Sequence, residues 1–340
     1  MNNLRIALVG AYGHYKKVLD EIVDLDQAAL VAVAPGYADE DLAPVFKHKL
    51  AAGDTTARFA DHRAMLEQAK PDIVIVSTRL DRVAPVAIDA ARAGCHVVSE
   101  KPLAIDHESL HALRSAVGEA NVRLIAMLTM RTLPAFVTAC ECFRRGDVGE
   151  VVIVNARKSY QWGARPEWFG RRETYGGTIG WVGIHAFDMI HYITGQGFVS
   201  VAAMQSNQTH PDRPACEDNC ALILELANGA HATVSLDYGR PSTAPTHGDD
   251  WIRIVGERGV LEANGSRETC SLIAEGQAPR DVPLAPSPPM YRAFFLSLLG
   301  RAGFDAQQPD DPFLLTLACL CARDAADSKS IVQIPQGIWD

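Results

Sequence analysis

Leu4-Arg5-Ile6-Ala7-Leu8-Val9-Gly10-Ala11-Tyr12-Gly13-His14-Tyr15 decides the fold. An apolar run ends on a glycine turn, and helical text follows over 13–25, with Val18, Leu19, Ile22 and Leu25 on one face. A buried strand that turns through glycine into a helix opens a dinucleotide-binding unit, with the pyrophosphate at the helix N-terminus. The turn departs from the G-x-G-x-x-G spacing: Tyr12 and Tyr15 stand at the second and third glycine positions. Gly10 and Gly13 keep close backbone approach open, and a plain glycine-containing turn is the competing reading.

Working outward, short apolar runs alternate with helical stretches. Strands are expected over 30–34, 57–59, 73–76, 95–98 and 123–127, and helices after Asp61, over 85–93 and over 106–119. Asp61 is placed to cap its helix, and Gly94 to stop the next one. This alternation implies a parallel, doubly wound Rossmann sheet over 1–125. From about residue 145 the pattern changes. Strands are expected over 151–156, 199–205, 221–226, 230–236, 251–255 and 269–274, with Asn228-Gly229 as a hairpin turn. One helix over 178–194 interrupts them, and two more, over 291–299 and 313–326, follow a proline-rich stretch at 283–289. Residues 126–340 thus read as an α+β domain with a large, mainly antiparallel sheet. Helices on one side of such a sheet leave a face to cover, which points to a homodimer or homotetramer through it.

Composition narrows the function classes. The 340 residues carry a net charge of −9 and no long basic run, which argues against nucleic acid and anionic membranes as partners. The eight cysteines lack metal-site spacing and sit in apolar text, as reduced thiols do in the cytoplasm, the expected compartment; no metal is expected. The N-terminus has no signal-peptide pattern, and no apolar stretch reaches membrane-spanning length. Past the second strand, Ala34-Pro35-Gly36-Tyr37 offers neither a carboxylate for the ribose hydroxyls nor an arginine for a 2′-phosphate, so NAD and NADP both stay open.

Ser99-Glu100-Lys101-Pro102-Leu103-Ala104 lies just past a predicted sheet strand, where open α/β sheets bind ligands. Upstream come Lys70-Pro71-Asp72-Ile73-Val74-Ile75-Val76 and Ala93-Gly94-Cys95-His96-Val97-Val98; downstream come Met130-Arg131, Gly146-Asp147-Val148-Gly149-Glu150, Gly176-Gly177, Gly183-Ile184-His185-Ala186-Phe187-Asp188 and Ile254-Val255-Gly256-Glu257-Arg258-Gly259. In this order the chain resembles the glucose–fructose oxidoreductase / inositol 2-dehydrogenase (Gfo/Idh/MocA) family over nearly its whole length. The resemblance implies hydride transfer between NAD(P) and a secondary hydroxyl of a sugar, cyclitol or polyol. It implies Lys101 and His185 as the catalytic pair, with Lys101 polarising the hydroxyl and His185 taking its proton. It places the cofactor on Gly10, Tyr12, Gly13, His14, Thr78, Glu100, Lys101 and Pro102. Arg131, Tyr175, Trp181 and Asp188 are the candidate substrate contacts. Trp181, His185, Asp188 and Tyr192 are spaced to share one helix face.

Two departures separate the chain from that pattern. Trp181 stands where many members carry an Asp one turn before the His, and Arg79-Leu80-Asp81-Arg82-Val83 replaces a Pro-Asn followed by a His. They keep a non-catalytic sugar or nucleotide sensor open as the alternative, and a lyase-like reaction with tightly held NAD as a third reading. Aromatic residues concentrate over 160–192, suited to sugar faces, to a core or to an interface. Arg157, Arg165, Arg171 and Arg172 nearby suit either a substrate anion or salt bridges.

Overall fold

The computed structural model describes residues 3–52 and 55–336. These form two compact units: the chain up to Met127 with Pro289–Thr316, and Leu128–Pro288 with the chain from Leu317 on.

The first unit is built on six parallel strands: β1 (Leu4–Val9), β2 (Ala28–Ala34), β3 (Ala57–Arg58), β4 (Ile73–Val76), β5 (His96–Ser99) and β6 (Leu124–Ala126). Their order is β3-β2-β1-β4-β5-β6. The order reverses between β1 and β4, and doubly wound sheets bind ligands at that reversal. Every residue of β4 is buried, as expected for a strand covered on both faces. Between the strands run helices α1 (Tyr15–Ile22), α2 (His62–Ala69), α3 (Leu80–Arg92) and α4 (His107–Glu119). Asp61 caps α2, accepting from the Arg63 and Ala64 amides at 2.9 Å each, and Asp106 caps α4 through the Ser109 amide at 2.7 Å. Each cap satisfies amides that a helix start leaves without an intrahelical acceptor.

In the second unit, α5 (Pro134–Arg144), β7 (Val151–Gln161), α6 (Arg172–Tyr175) and α7 (Ile184–Thr194) precede seven strands. These are β8 (Phe198–Ser206), β9 (Asn219–Leu226), β10 (His231–Arg240), β11 (Gly248–Gly256), β12 (Gly259–Asn264), β13 (Thr269–Ala274) and β14 (Arg280–Asp281). Helices α8 (Met290–Leu298) and α9 (Asp311–Ser328) and the short strand β15 (Val332–Gln333) complete the described chain. With β15, the second sheet has nine strands in the order β14-β13-β12-β11-β7-β10-β9-β8-β15. Among the described residues β7 and β10 run parallel and the other neighbours antiparallel. The hairpin forms at Asn228-Gly229, with Gly229 at φ 83° and the Asn228 side chain accepting from the Ala230 amide at 3.1 Å. The two glycine-containing motifs of the sequence clasp each other: the Arg258 amide donates to the Val148 carbonyl at 2.9 Å and the Glu257 amide to the Glu150 carbonyl at 3.0 Å. Helices α5 and α7 pack on one face of this sheet. On the other, Met204, Ile223 and Ile331 stand exposed along a groove of about 910 Å³.

Three differences from the sequence reading have physical causes. Met290, Tyr291, Phe294 and Phe295 of α8 join the apolar cluster of Ile6, Leu8, Val18, Leu19, Ile22 and Ile75, so α8 completes the first unit although it lies 270 residues from its partners. Glu21 on α1 accepts from the Tyr291 amide at 2.7 Å and the Arg292 amide at 3.2 Å, satisfying the start of α8. Strand β12, which the reading lacks, is paired along its whole length by β11 and β13. The helix expected over 178–194 opens as a π-helical turn at Ile179–Gly183, which changes the angular spacing of Trp181 relative to α7. The single face expected to hold Trp181, His185, Asp188 and Tyr192 therefore does not extend regularly through Trp181.

Candidate functional site

In the first unit the glycine turn after β1 is laced into the sheet. Gly10 donates to the Ala34 carbonyl at 2.9 Å, Tyr12 to the Ser77 carbonyl at 2.9 Å, and the Ser77 hydroxyl to the Tyr12 carbonyl at 2.6 Å. Gly10 (φ 87°) and Gly13 (φ 99°) lie in the left-handed region that favours glycine. A side chain at Gly10 would come within 2.5 Å of the Ser77 carbonyl, and one at Gly13 would fall on the Glu100 carboxylate. Both glycines are thus required by backbone shape and by close approach, despite the irregular spacing.

Glu100 is fully buried and knits the half-site together. It accepts from the His14 amide at 2.7 Å, contacts His14 Nδ1 at 2.9 Å, and receives the Lys101 amide at 3.0 Å. Burial alone would push its carboxyl up, but His14 and the Lys101 charge outweigh burial and hold it below the usual range. Lys101 is itself 1% exposed, and its bond to Pro102 is cis. Thr78 sits just past β4, buried.

The expectation that no carboxylate serves the end of β2 is corrected here. The chain runs on from Gly36 and folds back, and Glu40 accepts from the Gly36 amide at 2.7 Å, the Ala11 amide at 3.2 Å and the Thr78 hydroxyl at 2.9 Å. One carboxylate therefore gathers donors from beyond β1, β2 and β4. Its desolvation, larger than the effect of these hydrogen bonds, raises its pKa. An acidic residue within a polar loop gives no periodic signal; its return to the sheet end is a tertiary event. The departure at 79–83 has a local role: Arg79 forms a two-pronged pair with Asp81 (2.6 and 2.9 Å) and lies 4.6 Å over the Tyr37 ring. Arg82 donates to the Gly36 carbonyl at 3.1 Å. That segment braces the turn after β2.

In the second unit, His185 on the first turn of α7 is 2% exposed and Asp188 is fully buried. Arg131, in the helical turn before α5, donates through Nε to Asp188 at 2.8 Å, with Nη2 at 2.7 Å. Its guanidinium lies 5.3 Å from the Tyr192 ring centre. A second buried pair stands among the residues that sequence reasoning did not single out. Lys158 on β7, fully buried, lies opposite Asp250 on β11 at 2.7 Å, with Met130 Sδ at 3.3 Å. Burial lowers the Lys158 pKa, against the charges of Asp250 and Asp188, which raise it. Arg131 and Lys158 match Asp188 and Asp250 in formal charge, so the two buried pairs neutralise themselves.

Tyr175 lies in the interior, with its hydroxyl 3.2 Å from both Thr178 and Tyr238 and its ring stacked on Phe169 at 4.3 Å. Trp181 meets Phe169 edge-on at 6.3 Å. Three of the four arginines of this stretch are engaged within the chain: Arg157 with Asp249 and Arg172 with Glu217 at 2.8 and 2.7 Å, and Arg165 over Tyr238 at 4.4 Å, while Arg171 is exposed.

Comparison with known proteins fits both halves. Residues 4–127 match the oxidoreductase family with an NAD-binding Rossmann fold, and residues 136–262 match the GFO/IDH/MocA C-terminal domain. The chain is 29% identical to inositol 2-dehydrogenase of Rhizobium meliloti over 288 residues, 83% of this chain and 82% of the relative. It is 36% identical to a solved Thermotoga maritima protein assigned no further than oxidoreductase, with TM-score 0.92 over 97% of this chain and all of that one. Levoglucosan dehydrogenase, solved with NADH and levoglucosan, has the same fold at 21% identity and TM-score 0.84, over 98% of this chain and all of that one. No helix among the described residues is long and apolar enough to cross a membrane.

Proposed function

Because the chain belongs to the Gfo/Idh/MocA family of oxidoreductases, we propose that it transfers a hydride between NAD and a secondary hydroxyl of an uncharged sugar, cyclitol or related polyol. The observation that carries this reading is a built feature in each unit. In the first unit it is the glycine turn with Glu40 and Glu100 at the reversal of the sheet; in the second, taken by itself, it is the buried His185 on the first turn of α7. Gly10, Tyr12, Gly13, His14 and Thr78 hold the cofactor, with Glu100 fixing the turn from beneath. When bound, NAD supplies the hydride acceptor. Lys101 donates a hydrogen bond to the substrate hydroxyl oxygen, and His185 takes the hydroxyl proton as the carbon becomes a carbonyl. The Arg131–Asp188 and Lys158–Asp250 pairs leave neither cation unmatched for a substrate anion, which favours a neutral polyhydroxy substrate over an acid or a phosphate ester. Relatives that oxidise inositol and levoglucosan support the substrate class. Eight buried cysteines, none in a disulfide, suit the reducing cytoplasm.

The test is a fluorescence titration with NADH and NADPH, followed by absorbance assays with myo-inositol, levoglucosan and a wider polyol panel. Sustained reduction of NAD by a polyol supports the reading. Tight nucleotide binding with no absorbance change across the panel favours the sensor instead.

Glu40 makes the cofactor choice testable. A carboxylate at this position accepts hydrogen bonds from ribose hydroxyls and repels a 2′-phosphate. NADH is expected to bind well ahead of NADPH, and Glu40→Gln to narrow that preference by about tenfold, on the order of 1.4 kcal/mol. An unchanged preference removes Glu40 from the cofactor site.

The exposed apolar face of the second sheet covers itself by self-association, as a homodimer or homotetramer. Ile223, 57% exposed within the groove, is central to it. Ile223→Lys is expected to shift the sedimentation profile toward monomer, and a wild type that sediments as monomer at all concentrations rules this out.

A further inference from the structure

The segment that departs from the family pattern at 79–83 stands beside the carboxylate that the fold brings back to the sheet end. Glu40 accepts from the Thr78 hydroxyl at 2.9 Å and from the Gly36 amide at 2.7 Å. Gly36 and Thr78 also approach each other closely, because a side chain on Gly36 would fall on that of Thr78. The next residues outward, Tyr37 and Arg79, meet as a second layer. The Arg79 guanidinium carbon lies over the Tyr37 ring, 4.6 Å from its centre. Arg79 Nε and Nη2 donate to the two Asp81 oxygens at 2.6 and 2.9 Å. Asp81 lies in the first turn of α3, where the helix dipole favours a carboxylate. Arg82 closes the assembly by donating to the Gly36 carbonyl at 3.1 Å. A long, flexible side chain is thus backed by a ring and tied along one edge, yet it is still a quarter exposed.

A guanidinium binds phosphate through paired N–H donors and binds flat rings through its face. Here the Nε–Nη2 edge is already taken up by Asp81. Glu40 and Asp81 also set two carboxylates against an incoming phosphate. What Arg79 has left to offer a ligand is a held, cationic plane. Adenine is joined to its ribose by a single bond, so a ribose on Glu40 carries its base to the neighbouring layer, where Tyr37 and Arg79 stand.

We propose that Arg79 is the adenine platform of this chain, with the base stacked on its guanidinium, and that Tyr37 and Asp81 position it; this rests on the reading that the glycine turn and Glu40 hold NAD. Stacking of a cation on a π-face adds affinity for the adenosine half of the cofactor and none for the nicotinamide half. Tyr37 acts through its ring, which backs the guanidinium, and Asp81 through the edge it holds.

The experiment titrates the full-length protein with NADH, with NADPH and with reduced nicotinamide mononucleotide, which lacks the adenosine half, following nicotinamide fluorescence; 5′-AMP is measured by its displacement of NADH. Arg79→Met is expected to weaken NADH and AMP by about tenfold, the size of a partly desolvated cation–π contact, and to leave the mononucleotide unchanged. Arg79→Lys keeps the charge and loses the plane, so it is expected to recover only part of that loss; it also carries the comparison if Arg79→Met does not fold. Tyr37→Phe should bind NADH as the wild type does, because the ring and not the hydroxyl backs Arg79, and Tyr37→Leu should lose about threefold. Undiminished NADH binding by Arg79→Met, an equal loss on the mononucleotide, or full recovery by lysine overturns the proposal. So does a larger loss for NADPH than for NADH, which makes Arg79 a phosphate ligand, or a larger loss from Tyr37→Leu than from Arg79→Met, which puts the base on Tyr37. These measurements read binding alone, so the platform can fail while polyol oxidation stands; a wild type that binds no nicotinamide nucleotide overturns both.

Discussion

Lys101→Met is expected to lower kcat for polyol oxidation by about 10²–10⁴-fold, the range removed with a positioned acid–base group. Lys101 is almost wholly buried, so a methionine stem keeps most of its packing while the ammonium is lost. Glu100 retains the Lys101 amide hydrogen bond, because that contact belongs to the backbone. NADH binding should therefore survive, and the loss should fall on kcat and kcat/KM alike if the ammonium acts mainly on the transition state. His185→Asn should behave in the same way, since it keeps polarity in a buried site but cannot take a proton near neutral pH. Steady-state absorbance assays beside an NADH titration separate the two readouts. Near-normal turnover in either variant, with folding intact, sinks the assigned mechanism.

Asp188→Ala is expected to destabilise the second unit by about 3–5 kcal/mol, the usual cost of removing one partner of a buried ion pair. Arg131 is 3% exposed and Asp188 fully buried, so water cannot replace the lost carboxylate without a rearrangement. Replacing both by apolar residues, Arg131→Met with Asp188→Leu, should recover much of that loss, because no buried charge is left alone. Chemical unfolding of the single and double variants gives the comparison directly. A single-variant loss below about 1 kcal/mol, as for a surface pair, would contradict the buried geometry.

What was legible in the sequence follows from how local each signal is. The apolar runs of β1 and β4, the cap at Asp61 and the turn at Asn228-Gly229 each depend on a few adjacent residues, and each stands as read. Glu40 was hidden because its role depends on a loop folding back onto three strand ends. Lys158 and Asp250 were hidden because only the register of β7 against β11 sets them opposite each other. The π-helical turn before α7 was hidden because one added residue in a turn leaves no mark on an apolar pattern. Family motifs pointed to Glu100, Lys101 and His185 but gave no sign of Glu40 or of the Arg131–Asp188 and Lys158–Asp250 pairs.

The packing of α8 against β1 and α1 has a consequence for synthesis. The first unit cannot finish its interior when Met127 is made, since Phe294 and Phe295 belong to that interior. At about 5–20 residues per second, a ribosome needs roughly 10–30 s more to deliver them. During that interval the nascent chain carries an incomplete Rossmann layer whose apolar surface is available to chaperones. A stop codon placed before Pro289 would make that state permanent, so an excised nucleotide-binding domain should be designed with the later segment fused back on.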